Sequence, residues 1–210
     1  MAERKIDHLV FAVADLEEGI ANLESKLGVR AVLGGHHASF GTKNALIRLN
    51  ENMYFEMLAS DPQNTEVLPP RWMGVDFLTK NQITRWAVTS QDLKKDAQIL
   101  KNYHPDLGQV LNGSRQTPNG QLLQWELTKP LPQPEVELVP FCIDWSKSET
   151  HPSQQLLEMQ CELLEIRATH PNPKIFSNIF GKLELNLKIE LGQEITIKAI
   201  VKCPKGIVVL

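Results

Sequence analysis

The chain has 210 residues, 42% of them hydrophobic and 22% charged, with a formal net charge of -3 and an isoelectric point near 6.1. This is ordinary globular composition, and the slight acidity excludes a broad nucleic-acid surface. The apolar runs are too short to span a membrane, and the N-terminus MAERKIDHLV lacks the apolar core and cleavage site of a secretory signal. A cytoplasmic protein acting on a small molecule is the expectation. Cys142, Cys161 and Cys203 are odd in number, lack C-x-x-C spacing and sit among apolar residues, so they read as small buried hydrophobes.

Residues 5–13, KIDHLVFAV, read as a strand buried on both faces, with His8 in its middle. Asp15 is placed to cap a helix, Glu17 and Glu18 suit its first turn, and Ile20, Leu23 and Leu27 follow at helical spacing to a stop at Gly28. Then come a strand near 29–33, a Gly-rich loop GGHHASFGTKN, a strand at 44–49, a turn at Asn50-Glu51-Asn52 and a strand at 53–58. Residues 1–60 therefore form one β-α-β-β-β module, and the proline-bearing stretch 61–82 reads as a linker.

TRWAVTSQDLKKDAQIL repeats the opening grammar, and residues 83–150 are the second module. Aligning Asp15-Leu16 with Asp92-Leu93 sets Arg85 at the place of His8. NGSRQTPNGQ, 112–121, reads as a turn-rich loop with two Asn-Gly steps, followed by strands at 121–127 and 139–145. Residues 151–210 form a third unit, a strand and short helix followed by three strands divided at Gly192 and at Cys203-Pro204-Lys205-Gly206. The fold class is α+β: paired β-α-β-β-β modules forming a cupped mixed sheet, with a smaller β-α-β-β-β-like unit at the C-terminus, all in one compact domain.

The segments IDHLVFAVADLE, GGHHASFGTKNALIRL and YFEMLAS, with RWAVTSQDL, SRQTPNGQLLQWEL and VPFCIDW after them, resemble glyoxalase-like proteins of the vicinal oxygen chelate superfamily. In metal-using members each module offers one ligand from its first strand and one from its last. The resemblance thus implies His8 and Glu56 as ligands from the first module and Asp144 as a third. Such a site suits Zn²⁺, Mn²⁺ or Fe²⁺. Arg85 departs from the pattern, because an arginine stays protonated and cannot ligate a cation.

Three readings stand beside one another. His8, Glu56 and a third group (Asp144, His37 or His151) hold a divalent metal, and Glu56 moves the proton in a lyase, isomerase or dioxygenase reaction. Alternatively Arg85 and Arg115 anchor a carboxylate or phosphate, with His37 also a substrate contact and Glu56 and His8 serving as polar contacts or proton carriers, as a metal-free binding or sequestering protein would use them. In the third, His8 is a core histidine bonded to backbone and Glu56 pairs with an arginine. His36 and His37 lie in the Gly-rich loop, His151 is near enough to CIDW to close over a site, and His104 and His170 read as structural. Trp86, Trp125 and Trp145 are expected in the core. Open sheet edges also allow a homodimer. No P-loop, G-x-G-x-x-G or G-x-S-x-G motif occurs.

Overall fold

The computed structural model describes residues 4–117 and 120–210. The first module contains β1 (Ile6–Ala12), α1 (Leu16–Leu27), β2 (Val32–His37), β3 (Thr42–Asn50) and β4 (Met53–Ser60). Asp15 accepts from the Glu18 backbone amide at 2.8 Å. The helix stops at Gly28, whose φ of 78° is left-handed and suits glycine. Leu16, Ile20, Leu23 and Leu27 are buried along one helical face, each contributing about 2 kcal/mol of hydrophobic stabilisation. The second module contains β5 (Gln82–Thr89), α2 (Leu93–Tyr103), β6 (Val110–Gln116), β7 (Leu122–Thr128) and β8 (Phe141–Asp144). Asp92 caps α2 as Asp15 caps α1.

The two modules form one eight-stranded sheet in the order β2-β3-β4-β1-β5-β8-β7-β6. β1 and β5 pair antiparallel at its centre, while β1 runs parallel to β4 and β5 parallel to β8. The sheet curls until its edges approach, for the Arg115 guanidinium of β6 donates to the Gly34 carbonyl of β2. Val10, Ala12, Ala87, Leu127, Phe141 and Ile143 pack together inside the cup. Leu9, Trp86 and Val88 belong to the other core, with the apolar faces of α1 and α2. The C-terminal unit contains β9 (Glu162–His170), α3 (Ser177–Lys182), β10 (Ile189–Leu191), β11 (Thr196–Cys203) and β12 (Gly206–Val209), with sheet order β10-β9-β11-β12. Among the described residues, no helix is long and apolar enough to cross a membrane.

Two expected loops are strands. The glycines of GGHH lie within β2, where a register shift between Leu33 and Gly35 and a φ of 141° at Gly35 make a kink that only glycine adopts easily. Asn112-Gly113 lies within β6 rather than in a turn. A Cβ on Gly113 would fall 2.3 Å from the Trp125 ring, so this glycine makes room for an aromatic neighbour. The second Asn-Gly step includes Asn119, which lies outside the described residues.

Candidate functional site

Inside the cup lies a cavity of about 460 Å³, reckoned out to its mouth. Its polar floor carries His8 from β1, His37 from β2, Asn44 from β3, Tyr54 and Glu56 from β4, and Arg115 from β6. Every one of these except Arg115 comes from the first module. The second module supplies apolar wall: Trp125, Leu127, Phe141, Ile143 and Trp145. Trp72 and Met73, from the stretch expected as a linker, close another side, with Trp72 stacked on Phe40 at 4.2 Å.

His8 and Glu56 come together as the strand pairing requires. β1 and β4 are parallel neighbours, and His8 Nε2 lies 3.6 Å from Glu56 Oε2. The other carboxylate oxygen, Oε1, accepts from Asn44 Nδ2 at 2.6 Å, which fixes its orientation. Asn44 Nδ2 also lies 3.4 Å from His37 Nε2, and His37 Nδ1 lies 3.0 Å from the Thr42 hydroxyl. Burial, with Arg115, His36 and His8 adding to it and Glu56 opposing, drives the His37 pKa down to about 4. His37 is therefore a neutral ring at physiological pH. Burial also lowers the Arg115 pKa, against the attraction of Tyr54 and Glu56, but an arginine stays protonated. The cavity thus carries a carboxyl group and a guanidinium on a polar floor that faces an apolar wall.

Two expected site residues lie elsewhere. Arg85 is buried, and its guanidinium donates to the backbone carbonyls of Thr84, Leu131, Gln133 and Glu135. It braces the proline-bearing loop between β7 and β8 and does not line the cavity. Burial lowers its pKa to about 10, still charged at neutral pH. In the sheet, β1–β5 pairing sets His8 beside Ala87 and Arg85 beside Val10, with a bulge next to that pair. Asp144 lies between Ile143 and Trp145, both of which line the cavity, so strand alternation aims it the other way. Its carboxylate accepts from the Ser146 amide. Trp86 and Trp125 are buried in the core as expected, and Trp125, with the partly buried Trp145 packed beside it, also forms cavity wall. His36 pairs with Asp61 outside the cavity, and the three cysteines are buried and unpaired.

The residue that sequence reasoning missed is Asp7. Strand alternation places it opposite His8, but Ile6 pairs with Val88 and His8 with Ala87, leaving Asp7 as the extra residue of a bulge. A bulge re-aims its side chain. The wholly buried carboxylate meets His8 Nδ1 at 2.6 Å, and both Trp145 Nε1 and His151 Nε2 at 3.1 Å.

The donor set does not fit the metal site of the superfamily. His8 and Glu56 supply two ligands, and Asn44 already occupies one Glu56 oxygen. At the matching strands of the second module the cup face carries Ala87, Phe141 and Ile143. Among the described residues, no three His, Cys, Asp or Glu side chains gather as a metal would require.

Two β-α-β-β-β halves joined across β1 and β5 into one cupped sheet, with a cavity inside the cup, give the chain the fold of vicinal oxygen chelate proteins. The family model of the glyoxalase-like domain matches residues 6–183, and the chain belongs to that family. A hypothetical protein from Staphylococcus aureus is similar in structure, with a TM-score of 0.68, 16% identity, and 97% of this chain and 92% of that chain covered. Streptomyces coelicolor methylmalonyl-CoA epimerase, in complex with 2-nitronate-propionyl-CoA, gives a TM-score of 0.46 at 15% identity, over 71% of this chain and 99% of that one. The Mycobacterium tuberculosis epimerase gives 0.41 at 19% identity, over 66% and 86%. None of the curated proteins matches the chain.

Proposed function

We propose that the cup binds a small organic carboxylate carrying an adjacent carbonyl, and that Glu56 moves a proton on it in an isomerase- or lyase-type reaction that needs no resident metal. The observation that carries this reading is the presence of Glu56 and Arg115 in one cavity whose far wall is apolar. With His37 held neutral, Arg115 is the guanidinium that the described lining residues offer an anionic ligand. The enclosure strengthens that attraction, because little water screens it. The tryptophan and phenylalanine walls suit an apolar body.

Glu56 is fixed by Asn44 and keeps its other oxygen beside His8, the arrangement a general base or acid requires. The test is calorimetric titration of chelator-treated protein with small 2-oxo and 2-hydroxy carboxylates, combined with proton exchange at the carbon next to the carbonyl. Binding with exchange that Glu56→Gln abolishes supports the reading. Binding without exchange assigns the cup a carrier role instead. Binding that requires added Zn²⁺, Mn²⁺ or Fe²⁺ overturns the metal-free account.

A further inference from the structure

Asp7 is the group in this region that the acid–base reading leaves unused, and its surroundings fix more than its own place. Trp145 Nε1 donates to Asp7 Oδ2, and His151, whose Nδ1 accepts from the Ser153 amide, presents its Nε2–H to the same oxygen. A carboxylate with these partners accepts at both oxygens. A proton must then sit on His8 Nδ1, 2.6 Å away, and in the neutral ring the lone pair is left on Nε2. The Nε2 side is the one near Glu56. Tyr54 stacks on the ring at 4.6 Å and 13°, and Phe141 meets it edge-on at 5.4 Å. The imidazole is thus held in position as well as in protonation pattern.

We propose that Asp7 is a positioning residue that makes His8 the proton acceptor of the cup, by holding it as the Nδ1–H tautomer with the Nε2 lone pair turned to the ligand. This rests on the acid–base reading above and adds a second proton-carrying group to it. In the step, the C–H bond beside the ligand carbonyl breaks and its electron pair forms the C=C bond of an enolate. The carbonyl π pair moves onto oxygen, and the proton forms a bond to His8 Nε2. The resulting imidazolium lies between two carboxylates, Asp7 on one side and Glu56 on the other. Glu56 can receive that proton and return it to the opposite end of the enolate. Asp7 also ties this centre to the chain after β8, because Trp145 and His151 donate to its second oxygen. Trp145 is cavity wall, so one carboxylate sets both the base and the wall beside it.

The test reads ring protonation directly, from long-range ¹H–¹⁵N spectra of the histidine side chains in the full chain. The expected wild-type result is a His8 ring protonated at Nδ1 and bare at Nε2. Asp7→Asn is nearly isosteric but carries a single acceptor oxygen. Keeping that oxygen for Trp145 and His151 turns its amide group toward His8 Nδ1, so the tautomer inverts. Proton exchange on the ligand then falls on the order of 10²-fold or more, with KM little changed. A wild-type His8 with its proton on Nε2, or an Asp7→Asn chain that folds and keeps the Nδ1–H tautomer, overturns the proposal. If the variant does not fold, the wild-type spectrum decides alone. A chain that shows the predicted tautomer but binds no carboxylate would refute the functional reading while leaving the positioning role of Asp7 intact.

Discussion

His37 offers a quantitative handle on the electrostatics of the cup. Its folded pKa is about 4, against the ordinary 6.5, chiefly because burial disfavours the imidazolium. The unfolded chain takes up a proton there from about pH 6.5 downward, whereas the fold refuses it until about pH 4. Stability from this source is therefore complete above pH 6.5, declines as the pH falls through that window, and is gone below the folded value. At pH 5 the linkage amounts to a loss of about 2 kcal/mol relative to neutral pH. For a chain of this length that lowers Tm by about 4–8 °C. The assay is calorimetric melting between pH 7.5 and 5 for wild type and His37→Gln, whose amide can still meet Thr42 and Asn44. The wild type should lose that increment over the window and the variant should not. Melting points that fall in parallel would show that His37 is not held neutral, and with it would go the argument that Arg115 is the cation facing the ligand.

Arg85→Met leaves four backbone carbonyls without their donor and should destabilise the fold by about 2–4 kcal/mol, read from the shift of the urea midpoint. The folded fraction should keep its affinity for carboxylates, since Arg85 does not touch the cavity. Arg115→Gln should weaken binding of a carboxylate roughly 10- to 100-fold, measured by titration calorimetry. Glu56→Gln keeps an acceptor for Asn44 and should bind the anion at least as tightly, while exchange falls on the order of 10²–10⁴-fold. Asp144→Asn should change stability by less than about 0.5 kcal/mol and leave binding intact, whereas loss of a metal ligand would do neither.

The parts of the fold that were legible in the sequence are those governed by local rules. Asp15 and Asp92 mark helix starts, Gly28 marks a stop, and the apolar spacing of α1 and α2 follows from packing one face on a sheet. His8 and Glu56 were legible because the module repeats a known pattern. Arg85 donates to its neighbour's carbonyl and to those of the loop between β7 and β8, a use that no spacing in the sequence announces. Asp7 was missed because strand alternation does not count the bulge that re-aims it. Gly35 was read as part of a loop and Gly113 as a turn former, yet in the fold one kinks a strand and the other yields space to Trp125. Trp72 and Met73 reach the cavity from a segment whose prolines suggested only a connection, because pairing across the cup brings distant segments together.

The central claim is that the cup takes a carboxylate without a metal. Thermal unfolding of chelator-treated protein with small 2-oxo carboxylates, each with and without Zn²⁺, Mn²⁺ or Fe²⁺, tests it most directly. A ligand at about a hundred times its Kd should stabilise the wild type by about 2.7 kcal/mol irrespective of metal, and the effect should largely vanish in Arg115→Gln. Stabilisation that appears only with the metal, and survives in Arg115→Gln, would contradict the account.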